Sequence, residues 1–159
     1  MGLHPIPEAL PQMLNLHFAR LIEDHSVELA DGLARRLHSS DRTTAYRNIP
    51  MDALTPQLQD FYENLSVWLT TKTEDEIRER YSEAGRLRER QGIPVGQFSW
   101  AIVMSKEYLW QFLLREVMAD HALALLTELD FLMLLEEFFD RALYYGVSAY
   151  EQQAKREAA

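Results

Sequence analysis

The sequence contains no cysteine. Disulfides, thiolate metal sites and cysteine nucleophiles are thereby excluded together, and the composition fits a reducing, cytoplasmic setting. Glycine and proline are scarce, six of each in 159 residues. They fall at joints between apolar-periodic stretches, and period-two alternation never persists, so no strand is expected. Basic residues are outnumbered, 16 Lys and Arg against 25 Asp and Glu, which gives a net charge of -9. Such a surface repels phosphate backbones and no basic patch offsets it, so nucleic acid is not expected as a direct partner. Long apolar runs are missing too. The longest charge-free stretch, Gln91 to Ser105, contains Gly, Pro, Gln and Ser, and it falls short of the roughly 20 apolar residues of a membrane span. The opening "MGLHPIPEALPQ" lacks a basic region followed by an apolar block, so no secretory signal is read there and a soluble chain is expected. None of the short signatures of nucleotide binding, serine hydrolysis or zinc proteolysis occurs.

Apolar residues make up 47% of the chain and charged residues 26%, the composition of a globular protein. A chain of this length buries about 70% of its unfolded surface, enough for one domain spanning 1–159. The apolar spacing predicts an all-α bundle of five to six helices. Leu10, Leu14, His17, Leu21, His25, Leu29, Leu33 and Leu37 form one stripe over Glu8 to Leu37, on one long helix or two in line, with Gly32 as the weak point. The turn-rich "SSDRTTAYRNIP" is the longest loop. Thr55 and Pro56 suit an N-cap and first helical position, and Leu58, Phe61, Tyr62, Leu65, Trp68 and Leu69 form the buried face of the helix that follows.

A largely solvated helix is expected from Glu74 to Gln91, with Ile77, Tyr81 and Ala84 inward and Arg88 next on the same stripe. Gly92 suits the left-handed residue that ends a helix, and Ile93, lying before Pro94, is pushed toward extended backbone. A helix apolar on more than one side then runs from Val95 to Met118, and Asp120 can cap a last long helix. Its band is again wide, and part of it is expected to be covered by a second copy of the chain. Leu132, Leu135, Phe138, Phe139 and Tyr145 are the interface candidates. The tail 151–159 is polar and helix-favouring, an extension fit to carry a signal.

Few residues invite chemistry. His17 and His25, on one continuous helix, would stand roughly 12 Å apart and hold no ion together. His121 is a weak candidate for an axial haem ligand. Glu136, Glu137 and Asp140 can form half of a carboxylate metal site, but no Glu-x-x-His motif accompanies them; a partly solvated face is the plainer reading. Arg88, beside the small residues Ala84 and Gly85, is read either as drawn inward onto a carboxylate, with Asp140 first and Glu107 next, or as lying on the surface near Glu83 and Glu89. Any cavity is expected among Trp100, Trp110 and Phe138. No cofactor or metal is expected.

"YSEAGRLRERQGIPVGQFSWAIVMSKEYLWQFL", Tyr81 to Leu113, resembles the Arg-x-x-x-Gly-[Ile/Val]-Pro-[Leu/Val] corner and following helix of the N-terminal domain of RsbR-type co-antagonists, the RsbRD N-terminal family. "EEFFDRALYYGVSAYE", Glu136 to Glu151, is similar to that family's closing helix, and Leu21 to Leu69 agrees in layout. Val95 and Gly96 stand where Leu-Ser is more usual. The resemblance implies a non-enzymatic, cytoplasmic bacterial input domain, related to a globin without haem, that acts as a dimer ahead of a STAS, helix-turn-helix or kinase output module. In that reading the last helix is a lever, Leu132 to Tyr150 packing against its mate. The rival readings are a haem-binding or ligand-binding globin-like sensor, a carboxylate or histidine metal enzyme, and a plain adaptor that only holds other chains.

Overall fold

Six α-helices and one 3-10 turn, with no strand among the described residues, make up the computed structural model. It describes the backbone of residues 9–71, 73–118 and 123–158, and the side chains of 16–71, 73–116 and 133–158. In order these are α1 (Ala9–Asp24), α2 (Ser26–Ser39), the 3-10 turn Thr44–Asn48, α3 (Met51–Thr71), α4 (Glu74–Arg90), α5 (Val95–Met118) and α6 (Leu123–Ala158). No described helix is long and apolar enough to cross a membrane.

The leading stripe is two helices, and the break falls at His25 rather than at Gly32. The His25 backbone N–H and its ring Nδ1 both approach the Leu21 carbonyl, at 3.2 and 2.8 Å, so the side chain competes for an acceptor within the helix. Gly32 stays helical and serves close approach instead, because a Cβ there would collide with the Tyr108 hydroxyl on α5. The start of α3 also differs from expectation. The Pro50 carbonyl accepts from the N–H groups of Ala53 and Leu54, which starts the helix ahead of Thr55 and leaves Pro56 inside its first turns. Pro56 and Asp52 are both exposed, so water can take the Asp52 carbonyl that the missing proline N–H leaves open.

The α4–α5 corner forms as the sequence dictates. Gly92 has φ +77°, its N–H bonds to the Glu89 carbonyl and the Ile93 N–H to the Arg88 carbonyl, both at 3.0 Å. These are the two crossed bonds of a helix end closed by a left-handed glycine. Tyr150 then ties the corner to α6, donating to the Ile93 carbonyl at 2.9 Å, with its ring 5.3 Å from that of Phe98.

The helices sort into two groups. α3 packs on α1 and α2, whereas α4 lies along α6, and α5 touches both groups. α4 and α6 run in the same direction, since Glu74 meets Arg141 and Tyr145 near one end while Gly85 meets Gly146 further along. The aromatic centre of the core, Phe61, Trp68, Tyr81, Phe138 and Phe139, sits where the groups meet, with ring centroids 5.4–5.9 Å apart. This corrects the expected interface: Leu135, Phe138 and Phe139 are buried in the protomer's own core, because α4, α5 and α1 cover that side of α6. Tyr145 is half-buried and donates to Glu74 at 2.8 Å. The side chain of Leu132 lies outside the described residues, as do Asp120 and His121.

Candidate functional site: a cleft around a buried arginine

The spacing that gives α4 one inward stripe also dictates what lies along it. Ile77, Tyr81 and Arg88 are all buried, Arg88 with only 7% of its surface exposed. The inward arginine is therefore present, but its carboxylate is not. Asp140 is exposed on α6, at the level where that helix passes the beginning of α4, so it cannot serve Arg88 near the end. Glu107 is likewise exposed. Among the described residues Arg88 forms no ion pair.

Neutral groups hold the guanidinium instead. Nη1 donates to Gln57 Oε1 on α3 and, at 2.9 Å, to Gln91 Oε1, and the cation lies 5.4 Å from the centroid of the Tyr46 ring. Burial pushes the Arg88 pKa down, an effect opposed by Tyr46 and Tyr150. Burial likewise raises the Tyr46 hydroxyl to about 12, partly offset by Arg88. Both tyrosines thus stay neutral at physiological pH and solvate the cation without cancelling it.

Arg88 closes one end of a cleft of about 300 Å³ between α3, α4 and α5. The cleft exists because α4 leans on α6 rather than on α3. Its walls are apolar, with Leu58 and Phe61 on α3 facing Phe98, Ala101 and Ile102 on α5. Asp60, Arg80 and Glu83, all exposed, stand on the rim, where Arg86 and Arg90 hold Glu83 at 2.9 and 3.3 Å. Tyr81 lines the cleft two helical turns before Arg88. Among the described residues, its hydroxyl and the indole N–H of Trp68 are buried without a hydrogen-bond partner. Burial alone pushes the Tyr81 pKa far above its ordinary value, so the hydroxyl keeps its proton.

The residues expected to line a cavity lie elsewhere. Trp100 packs under Arg42, whose guanidinium carbon is 4.4 Å from the ring centroid. Trp110 is half-buried on α5, and Phe138 fills the core. The acidic trio is dispersed: Glu136 pairs with Lys106 at 3.1 Å, Glu137 with Arg141 at 3.0 Å, and Asp140 is exposed. His25 stacks at 5.1 Å on Phe112, and the His38 ring reaches the Ile49 carbonyl at 2.9 Å. His17 is exposed, and no described group of three His, Asp or Glu side chains converges on a metal position.

Sequence reasoning missed Gln57, Gln91 and Tyr46. Gln57 had a readable signal, since it sits on the apolar stripe of α3 between Leu54 and Phe61. A lone tyrosine in the polar "SSDRTTAYRNIP" was the signal for Tyr46. Gln97 and Thr43 fold that segment onto the body: the Gln97 amide bonds Ala45 and Thr44 at 2.8 and 3.2 Å, and the buried Thr43 hydroxyl donates to the Leu37 carbonyl at 2.7 Å.

The described residues thus form an all-helical bundle with an apolar cleft between α3, α4 and α5. The sequence model of the RsbT co-antagonist protein rsbRD N-terminal domain matches residues 27–159, and the chain belongs to that family. The family is named for a co-antagonist, a regulatory rather than a catalytic role. No curated protein and no solved structure matches the chain.

Proposed function

We propose that the chain is a non-enzymatic signal-input domain that pairs with a second copy along α6 and passes a change in the cleft to that helix, and so to an output module or partner. The observation that carries this reading is the mechanical contrast around α4. On one side α4 meets α6 backbone to backbone at Gly85 and Gly146; on the other it faces α3 across the cleft. Anything that closes or widens the cleft displaces α4, and the tight contact takes α6 with it. From Glu151 onward α6 is almost wholly exposed, a helix that has left the core.

Pairing is supported by the outer face of α6, where Met133 and Tyr144 are 71% and 68% exposed. Tyr144, Leu143 and Val147 line an open groove with Ser99 of α5. Large apolar side chains this exposed on a long helix are suited to a self-complementary two-fold contact. Sedimentation equilibrium tests it: a dimer is expected for the wild-type chain and a monomer for Tyr144→Glu, and a wild-type chain that stays monomeric at high micromolar concentration sinks the reading.

A further inference from the structure

Arg88 and Tyr81 both line one cleft; among the described residues the buried charge of Arg88 has no anionic partner, and the Tyr81 hydroxyl, closed off from solvent, has no hydrogen-bond partner. A guanidinium removed from water is costly unless an anion accompanies it. Here two side-chain amides and a tyrosine ring position it, yet among the described residues no carboxylate neutralises it. A buried hydroxyl without a hydrogen bond is a second, separate cost. The two groups are seven residues apart on α4, about 10 Å along the helix, with apolar walls between them.

We propose that this cleft is a binding site for a small organic carboxylate with an apolar body: the carboxylate meets the Arg88 guanidinium, the body lies between Phe61 and Ile102, and the Tyr81 ring turns so that its hydroxyl donates to a hydrogen-bond acceptor at the far end. The rim carries one arginine and two carboxylates, of which Glu83 is already neutralised by Arg86 and Arg90, so the mouth has no strong preference for either sign. Selection for an anion occurs at the closed end. An amine is repelled there, and a neutral isostere leaves the buried cation unanswered. Gln57 and Gln91 hold the guanidinium in place before the ligand arrives, so little ordering opposes binding.

That such a ligand is the signal rests on the regulatory reading above; that it binds does not. The site is tested by calorimetric titration of the full chain with 4-(4-acetylphenyl)butyrate, which has a carboxylate and a ketone separated by an apolar body of matching length, and with its neutral carboxamide. Saturable one-to-one binding of the carboxylate is expected. The carboxamide, and the carboxylate against Arg88→Met, should bind at least about tenfold more weakly, the scale of a hydrogen bond to a charged group. Tyr81→Phe should bind the carboxylate several-fold more weakly, and Ala101→Phe, which fills the cleft, should not bind it. Absence of saturable binding, equal binding of the carboxamide, or undiminished affinity in Ala101→Phe overturns the proposal. If Arg88→Met does not fold, the comparison of acid with amide in the wild-type chain still decides.

Transmission has its own readout. The chain has no cysteine, so Lys155→Cys carries a single spin label on α6, and the label-to-label distance within the proposed dimer should shift when the probe saturates. Binding with no shift leaves the site standing and removes the ligand as a signal. No binding, with the dimer intact, leaves the input domain to respond to a protein partner.

Discussion

A Cβ placed on Gly85 would stand 3.0 Å from the Cα of Gly146 and closer still to its carbonyl oxygen, so α4 and α6 touch through their backbones at this pair. Neither helix can retreat alone. Tyr145 and Arg141 hold the start of α4 through Glu74, and Tyr150 holds its end through the Ile93 carbonyl. Gly85→Ala should therefore destabilise the fold by about 3 kcal/mol, at the upper end of overpacking costs, because the obstacle is backbone. Gly146→Ala meets the Phe98 ring at 2.5 Å instead, and should cost less, since a side chain can turn. Urea unfolding of the two variants should rank them in that order.

Gly92 gives the complementary case. It has φ +77°, but nothing lies within 4 Å of a Cβ built there. Gly92→Ala should thus cost only the backbone strain of a left-handed residue, about 1 kcal/mol. Its denaturation midpoint should fall without a change in slope.

The two buried tyrosines of the α4–α6 region should respond oppositely to loss of the hydroxyl. Tyr81→Phe removes a buried donor that has no partner among the described residues, and should raise the stability of the ligand-free chain by about 1 kcal/mol. Tyr150→Phe breaks the 2.9 Å bond to the Ile93 carbonyl and should lower it by about the same amount. Thermal unfolding of both variants against wild type is the measurement.

Acidity should act at the far end of the same helix pair. Burial, then the nearby Glu157, raises the Glu89 pKa above the ordinary glutamate value of 4.5. A raised carboxylate pKa means that the folded state holds the proton more tightly than the unfolded one, so this pair opposes folding when ionised and the opposition fades as pH falls through the raised pKa. Glu89→Gln should melt above wild type at pH 8, and the gap should close toward pH 4.5. Glu74 behaves inversely. The hydrogen bond from Tyr145, and then Arg141, lowers its pKa, so its contribution is present at neutral pH and lost on acidification below 4.5. Glu74→Gln should melt below wild type at pH 7, with the difference shrinking in acid.

Local pattern left the leading stripe as one helix or two, but it was enough to determine the all-helical class, the α4 and α5 limits and the Gly92 turn. Each depends on interactions within a few residues: helical periodicity, proline's effect on its predecessor, and the freedom of glycine to adopt positive φ. Where a helix begins was less legible at α3: Thr55 and Pro56 suit a start, yet the helix begins ahead of them, with Leu54 already buried and its N–H bonded to the Pro50 carbonyl. That Arg88 turns inward could be read from its stripe, but its company could not. Asp140, Gln57 and Tyr46 are far from it in sequence, and only the same-direction pairing of α4 with α6 put Asp140 at the wrong level and left Gln57 across the cleft. The same pairing buried Leu135, Phe138 and Phe139 in the protomer and turned Met133 and Tyr144 outward, since a wide apolar band specifies burial but not against what. Sequence sets which faces must leave water; the tertiary arrangement decides which partners they meet, because burial is non-directional while close backbone approach and paired charge are not.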